Sequence, residues 1–227
     1  MNVKLLKKIL VLVCLSFMLV GFNIGNKEEQ DGLNIQNINN IKIKERQEDN
    51  NQFKISKMDE DNTVNINYLR DDVTLKTGIT EDEMKEVLIN TTGAKTMSHL
   101  AKAFVEAENL YGVNAFFMAG VVALESGFAT SRRAIEDNNL TGYEVYKDDS
   151  EGKLFTSQYE SILHTAKHLK ENYLTKDSIY YNGLSVDAVQ INYCPDEGLN
   201  KNWNGKVNEL ANSFLNTYKV LYEFDKK

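Results

Sequence analysis

The sequence predicts a mainly α protein, an all-helical domain that carries one small β-hairpin. Three observations predict it. Apolar residues recur at helical spacing over most of the chain beyond residue 64. Those runs open at Ser, Thr or Asn and several close at Gly, as capped helices do. One stretch between them, "LTGYEVYKDDSEGKLF", reads as two short strands around a polar turn.

A chain of 227 residues has room for one substantial domain plus attachments. It begins with the basic "MNVKLLKK" and an uncharged apolar run over 9–22, the pattern of an export signal. Residues 1–22 therefore read as a signal peptide or an N-terminal membrane anchor, although the run is shorter than the roughly 20 residues of a spanning helix. Residues 23–63 are dominated by Asn and charge without a sustained period, which buries too little apolar surface to offset ordering entropy, so they read as a polar linker or stalk. Residues 64–227 hold the folded domain. Beyond residue 22 the chain carries 23 basic against 33 acidic side chains, with no basic run. That balance argues against nucleic acid as a partner, because phosphate binding needs clustered Lys and Arg.

Within the domain, Thr80 and Glu83 form a capping box that starts a helix over roughly residues 81–90. "SHLAKAFVEAENLYG" places Leu100, Ala103, Phe104, Ala107 and Tyr111 on one face and stops at Gly112. "NAFFMAGVVALES" is apolar almost all round, which marks a helix buried on every side, with Asn114 as its cap. "ATSRRAIEDNN" gives a short helix before the hairpin. Ser157 and Glu160 then box another helix that runs to about Tyr173. "SVDAVQINY" and "WNGKVNELANSFLNTYKVLY" supply the last two.

The chemistry gathers at "VALESGFATS", where Glu125 ends the apolar helix. A carboxyl there is desolvated, and desolvation disfavours its charged form, so its pKa should rise. A carboxylic acid that stays protonated near neutral pH is what a general acid of glycosidic cleavage requires.

"YGVNAFFMAGVVALESGFATSRRA", "NNLTGY", "LFTSQYESI", "YL" and "INYCPDEGLNKNW", in that order, resemble the glucosaminidase domain of glycoside hydrolase family 73, the mannosyl-glycoprotein endo-beta-N-acetylglucosaminidase type within the lysozyme superfamily. The resemblance implies a lysozyme-like helical fold and a peptidoglycan hydrolase that cuts glycan strands after N-acetylglucosamine, exported to the cell-wall face, without a metal or organic cofactor. It matches Glu125 to the general acid. Asn138, Asn139 and Gly142 match the family's "NNLFGI" turn, with Thr141 in place of the aromatic and Tyr143 in place of the aliphatic residue. Those residues are expected to shape the floor of the substrate cleft, with Tyr143 and Tyr146 as substrate contacts.

Family members often place a second acid on the hairpin, where this sequence offers Glu144, Asp148, Asp149 and Glu151. Glu151 is favoured, then Asp148. An inverting enzyme needs that base about 6.5–9.5 Å from the acid, a retaining one needs a carboxylate at about 5–5.5 Å, and attack by the substrate's own acetamido oxygen needs neither. Tyr193 matches an aromatic near the cleft, where its hydroxyl could orient the acetamido group or water, and Trp203 could stack on a sugar face.

Three competing readings are weaker. His164 and His168 share a helix face, but Thr165 stands where a metalloprotease needs Glu, so the pair reads as helix surface. Cys194 lacks the electropositive helix start that would sustain a thiolate nucleophile. A non-catalytic glycan-binding or scaffold domain would have no use for an acid at position 125.

Overall fold

The computed structural model describes residues 68–145, 152–195 and 201–222. Residues 1–63 of the expected signal and linker, the acids Asp148, Asp149 and Glu151, and Tyr146 lie outside them.

Local signals account for most helix ends. After a short α1 (Tyr68–Asp71), α2 (Glu81–Asn90) starts with a reciprocal box, in which the Thr80 side chain accepts from the Glu83 N–H and Glu83 reaches back to the Thr80 N–H. The expected helix at "SHLAKAF" is divided: a 3₁₀ turn (Ala94–Leu100) precedes α3 (Ala101–Tyr111), which ends at Gly112 in left-handed geometry. The side chain of Asn114 accepts from the N–H groups of Phe116 and Phe117 and so opens α4 (Ala115–Ser126). There follow α5 (Arg132–Glu136), α6 (Gln158–Asn172), α7 (Val186–Tyr193) and α8 (Trp203–Tyr222). At α6 the box is displaced by one residue. Ser157 accepts from the Glu160 N–H as anticipated, but the Glu160 carboxylate takes the N–H and hydroxyl of Thr156.

No strand occurs among the described residues. The flanks of the expected hairpin are nevertheless joined by a hydrogen bond from the Lys153 N–H to the Tyr143 carbonyl, 3.0 Å.

α4 forms the axis of the domain. Every residue of it except Leu124 is buried, as the all-round apolar sequence requires. It packs chiefly along α8, while α2 and α6 close over α3. Close approach of α4 and α8 depends on Gly120. A Cβ there would stand 3.0 Å from the Val207 carbonyl and 3.2 Å from the Ala211 nitrogen, both on the α8 backbone. Gly120→Val is therefore expected to force the two helices apart and cost about 1–3 kcal/mol, the usual range for overpacking. A denaturant midpoint equal to that of the wild type would show that the interface yields freely.

Among the described residues no helix is long and apolar enough to cross a membrane.

Candidate functional site

Glu125 sits one residue before the C-terminus of α4, and the chain immediately after it turns sharply. Gly127, Phe128 and Ala129 all have φ near +60°, a region in which non-glycine residues are strained. Several bonds hold that conformation. Ser126 Oγ donates to the Val122 carbonyl at 2.6 Å and accepts from the Ala129 N–H at 2.8 Å, and Thr96 donates to the Phe128 carbonyl at 2.7 Å. The "ESGFAT" run thus ends the buried helix while leaving Glu125 inside the molecule.

Glu125 is only 4% exposed. Burial pushes its carboxyl up from the ordinary range to about 7, against a smaller downward pull from one hydrogen bond. That bond runs from the indole Nε1 of Trp203, the first residue of α8, to Glu125 Oε1 at 2.7 Å. Trp203 is itself 3% exposed, which corrects the expectation that it stacks on a sugar face: the ring meets Glu125 edge-on and is packed within the core.

Aromatic rings continue outward from this pair. Tyr193 lies 5.2 Å from Trp203 between ring centroids, Tyr173 5.7 Å from Tyr193, His168 5.7 Å from Tyr173, and Tyr143 5.4 Å from His168. The Tyr193 hydroxyl is held well above its ordinary pKa, first by burial and then by the nearby Glu125 charge, so it stays neutral. Tyr143 of the "NNLTGY" turn is thereby linked to Glu125 through consecutive ring contacts.

The turn is fastened by Asn138 and Asn139, whose amides are engaged with backbone. Asn138 Nδ2 donates to the Phe155 carbonyl. Asn139, fully buried, donates to the carbonyls of Tyr143 and Lys153 and accepts from the Tyr143 N–H. Gly142, next to Tyr143, takes φ of 64°. Asn139→Ala would leave the Lys153 carbonyl and the Tyr143 N–H without the amide and take from the Tyr143 carbonyl one of its two donors, the other being the Lys153 N–H. A loss of about 2–3 kcal/mol in stability is expected, measured by chemical denaturation. An unchanged midpoint would mean that water replaces the amide.

α6 receives this turn on a polar stripe. The Leu140 N–H donates to Ser161 Oγ, the hydroxyls of Thr141 and Thr165 pair at 2.8 Å, and Tyr143 stacks edgewise on His164 at 4.5 Å as well as on His168. The histidines are therefore half-buried beneath Tyr143 rather than an open helix surface, and the sequence reading is corrected on this point. Burial lowers both, His168 to about 4, so that both are neutral near pH 7. Sequence reasoning placed the two on one helix face but weighed them only as a metal pair. Ser161, His164, Thr165 and His168 nonetheless fall at i, i+3, i+4 and i+7, the spacing of one helix face. A polar stripe at that spacing was the available signal. Cys194 is buried in the core cluster. Among the described residues, no group of three or more His, Cys, Asp and Glu side chains could hold a metal ion.

The described residues form helices around a buried carboxyl of raised pKa at the end of α4, beside a file of aromatic rings, an arrangement that suits a glycoside hydrolase. By sequence, residues 101–216 match the glucosaminidase family, described as mannosyl-glycoprotein endo-beta-N-acetylglucosaminidase, and the chain belongs to that family. Two proteins named endo-beta-N-acetylglucosaminidase from strains of Streptococcus pneumoniae are each 28% identical over 133 residues, or 57% of this chain. The match spans 20% and 19% of those relatives, about a fifth of their length. Among solved structures, Staphylococcus aureus autolysin E is similar with a TM-score of 0.51 at 20% identity, over 68% of this chain and 74% of that one. A catalytic mutant of autolysin E in complex with the disaccharide NAG-NAM gives 0.50 at 20% identity, over 66% and 72%. These structures share the fold.

Proposed function

We propose that the protein is a peptidoglycan hydrolase, an endo-β-N-acetylglucosaminidase that cleaves glycan strands on the reducing side of N-acetylglucosamine with Glu125 as general acid. The observation that carries the reading is the buried Glu125 carboxyl with its pKa raised to about 7, in a chain of the glucosaminidase family. At that value a large fraction of the group is protonated near neutral pH and can deliver a proton to the departing glycosidic oxygen. Asn138, Asn139 and Gly142 shape the cleft floor by fixing the turn, and Tyr143, Tyr146 and Tyr193 contact the sugars. Glu151, with Asp148 as the next choice, supplies the second group from a hairpin lobe. The domain is exported, and residues 9–22 serve as signal or membrane tether, with the polar stalk 23–63 spanning from membrane to wall.

The test is digestion of purified peptidoglycan by the full chain, followed by borohydride reduction and mass spectrometry of the released glycans. Reduced N-acetylglucosamine ends are expected. Reduced N-acetylmuramic acid ends would make the enzyme a muramidase, and binding without cleavage would leave a glycan-binding scaffold.

A further inference from the structure

Glu125 has two oxygens, and the structure treats them differently. Oε1 receives the Trp203 indole N–H at 2.7 Å. An indole nitrogen donates and has no lone pair with which to accept. With the carboxyl proton on Oε1 the indole N–H would meet only a hydroxyl oxygen, a poorer acceptor than the carbonyl oxygen that Oε1 becomes when the proton is on Oε2. We propose that Trp203 is the positioning residue of the general acid: by occupying Oε1 as a donor it places the transferable proton on Oε2. The inference rests on the reading of Glu125 as the acid and adds which oxygen acts and what determines the choice.

Packing makes the assignment rigid. Trp203 opens α8, and α8 lies against α4 at Gly120, where backbone meets backbone. Gly120 is five residues before Glu125 and Val207 four after Trp203, so the close approach lies about one turn from the hydrogen bond. Tyr193 covers the indole with its ring tilted by 42° and limits its rotation.

The same bond acts on protonation. Among the described residues, the titratable group facing Glu125 across the packed elements is Tyr193 of α7, which stays neutral, with Tyr173 and Tyr143 behind it. Burial raises the acid and the indole N–H opposes it by stabilising the carboxylate. Removing the donor should therefore drive Glu125 further up. A merely structural tryptophan would, when replaced, lower activity equally at every pH.

Trp203 is the single tryptophan of the chain, so its emission reports directly on this carboxylate. Fluorescence of the full-length protein titrated from about pH 5 to about pH 9, beyond the ordinary carboxylate range, should show an inflection near the Glu125 pKa of about 7. Glu125→Gln should abolish it. Emission that does not titrate, or that titrates identically in Glu125→Gln, overturns the proposal. In the second arm, Trp203→Phe keeps an aromatic ring and deletes the N–H. Its alkaline limb of kcat/KM for glycan cleavage should move up by about one pH unit or more, the size expected for one hydrogen bond to a charged group. A limb that stays in place overturns the proposal. Should Trp203→Phe fail to fold, the wild-type titration decides. An emission inflection in a protein that cleaves no glycan would refute the hydrolase reading and leave the indole–carboxyl coupling intact.

Discussion

Glu125→Gln is expected to reduce peptidoglycan cleavage by about three orders of magnitude, within the range that a general acid contributes, while making the folded protein more stable at alkaline pH. The amide carbonyl can still accept the Trp203 N–H, so the helix pair has no reason to separate. Stability follows from the sign of the linkage. The folded-state carboxyl titrates at about 7 and the unfolded one near 4.5, so between those values the folded protein holds a proton that the unfolded chain has released. Stability contributed by this group is therefore lost as pH rises across that window. The gap corresponds to about 3 kcal/mol, an order-of-magnitude figure for a fully buried group. Glu125→Gln escapes that penalty because it does not ionise. Denaturant midpoints of the two proteins should converge near pH 4.5 and diverge in favour of the variant towards pH 8. Parallel pH profiles would show that Glu125 is not the ionising group, and undiminished cleavage would remove it from the chemistry.

Glu108→Ala should have the largest effect on stability. This carboxylate, 2% exposed at the end of α3, accepts from the N–H groups of Thr77 and Gly78, from the Thr77 hydroxyl, and from the N–H of Ala115 at the start of α4. An acceptor at a helix N-terminus also complements the positive end of the macrodipole. Truncation to alanine strands three N–H donors and a hydroxyl at the junction that aims α4. A loss of about 3–5 kcal/mol is expected, a large fraction of a typical domain's total stability. Urea denaturation measures it. A loss below about 1 kcal/mol, no more than one ordinary hydrogen bond, would show that the loop at Thr77 and Gly78 finds other acceptors.

Helix boundaries were legible because the groups that set them lie within four residues of each other. Thr80 and Glu83, Asn114 with Phe116 and Phe117, and Ser157 with Glu160 can each be read before any packing is known. The burial of α4 was legible for a related reason, since a helix without a polar face has to be surrounded. Where the sequence reading went astray, the deciding partner was distant. Trp203 meets Glu125 across 78 positions, and nothing local distinguishes an indole that will donate to a carboxylate from one that will lie under a sugar. His164 and His168 look like an exposed pair until the turn carrying Tyr143 is placed upon them.

By itself, then, the sequence determined that the described residues are mainly helical, where α2, α4 and α6 start, and that one carboxyl lies at the end of the most apolar helix. Tertiary structure decided what that carboxyl is. Its pKa depends on the solvent that α8 and its neighbours exclude, and the hydrogen bond that one of its oxygens receives depends on an indole brought in by the packing of α4 against α8. Desolvation and hydrogen-bond geometry are properties of the assembled core, and a linear pattern does not contain them.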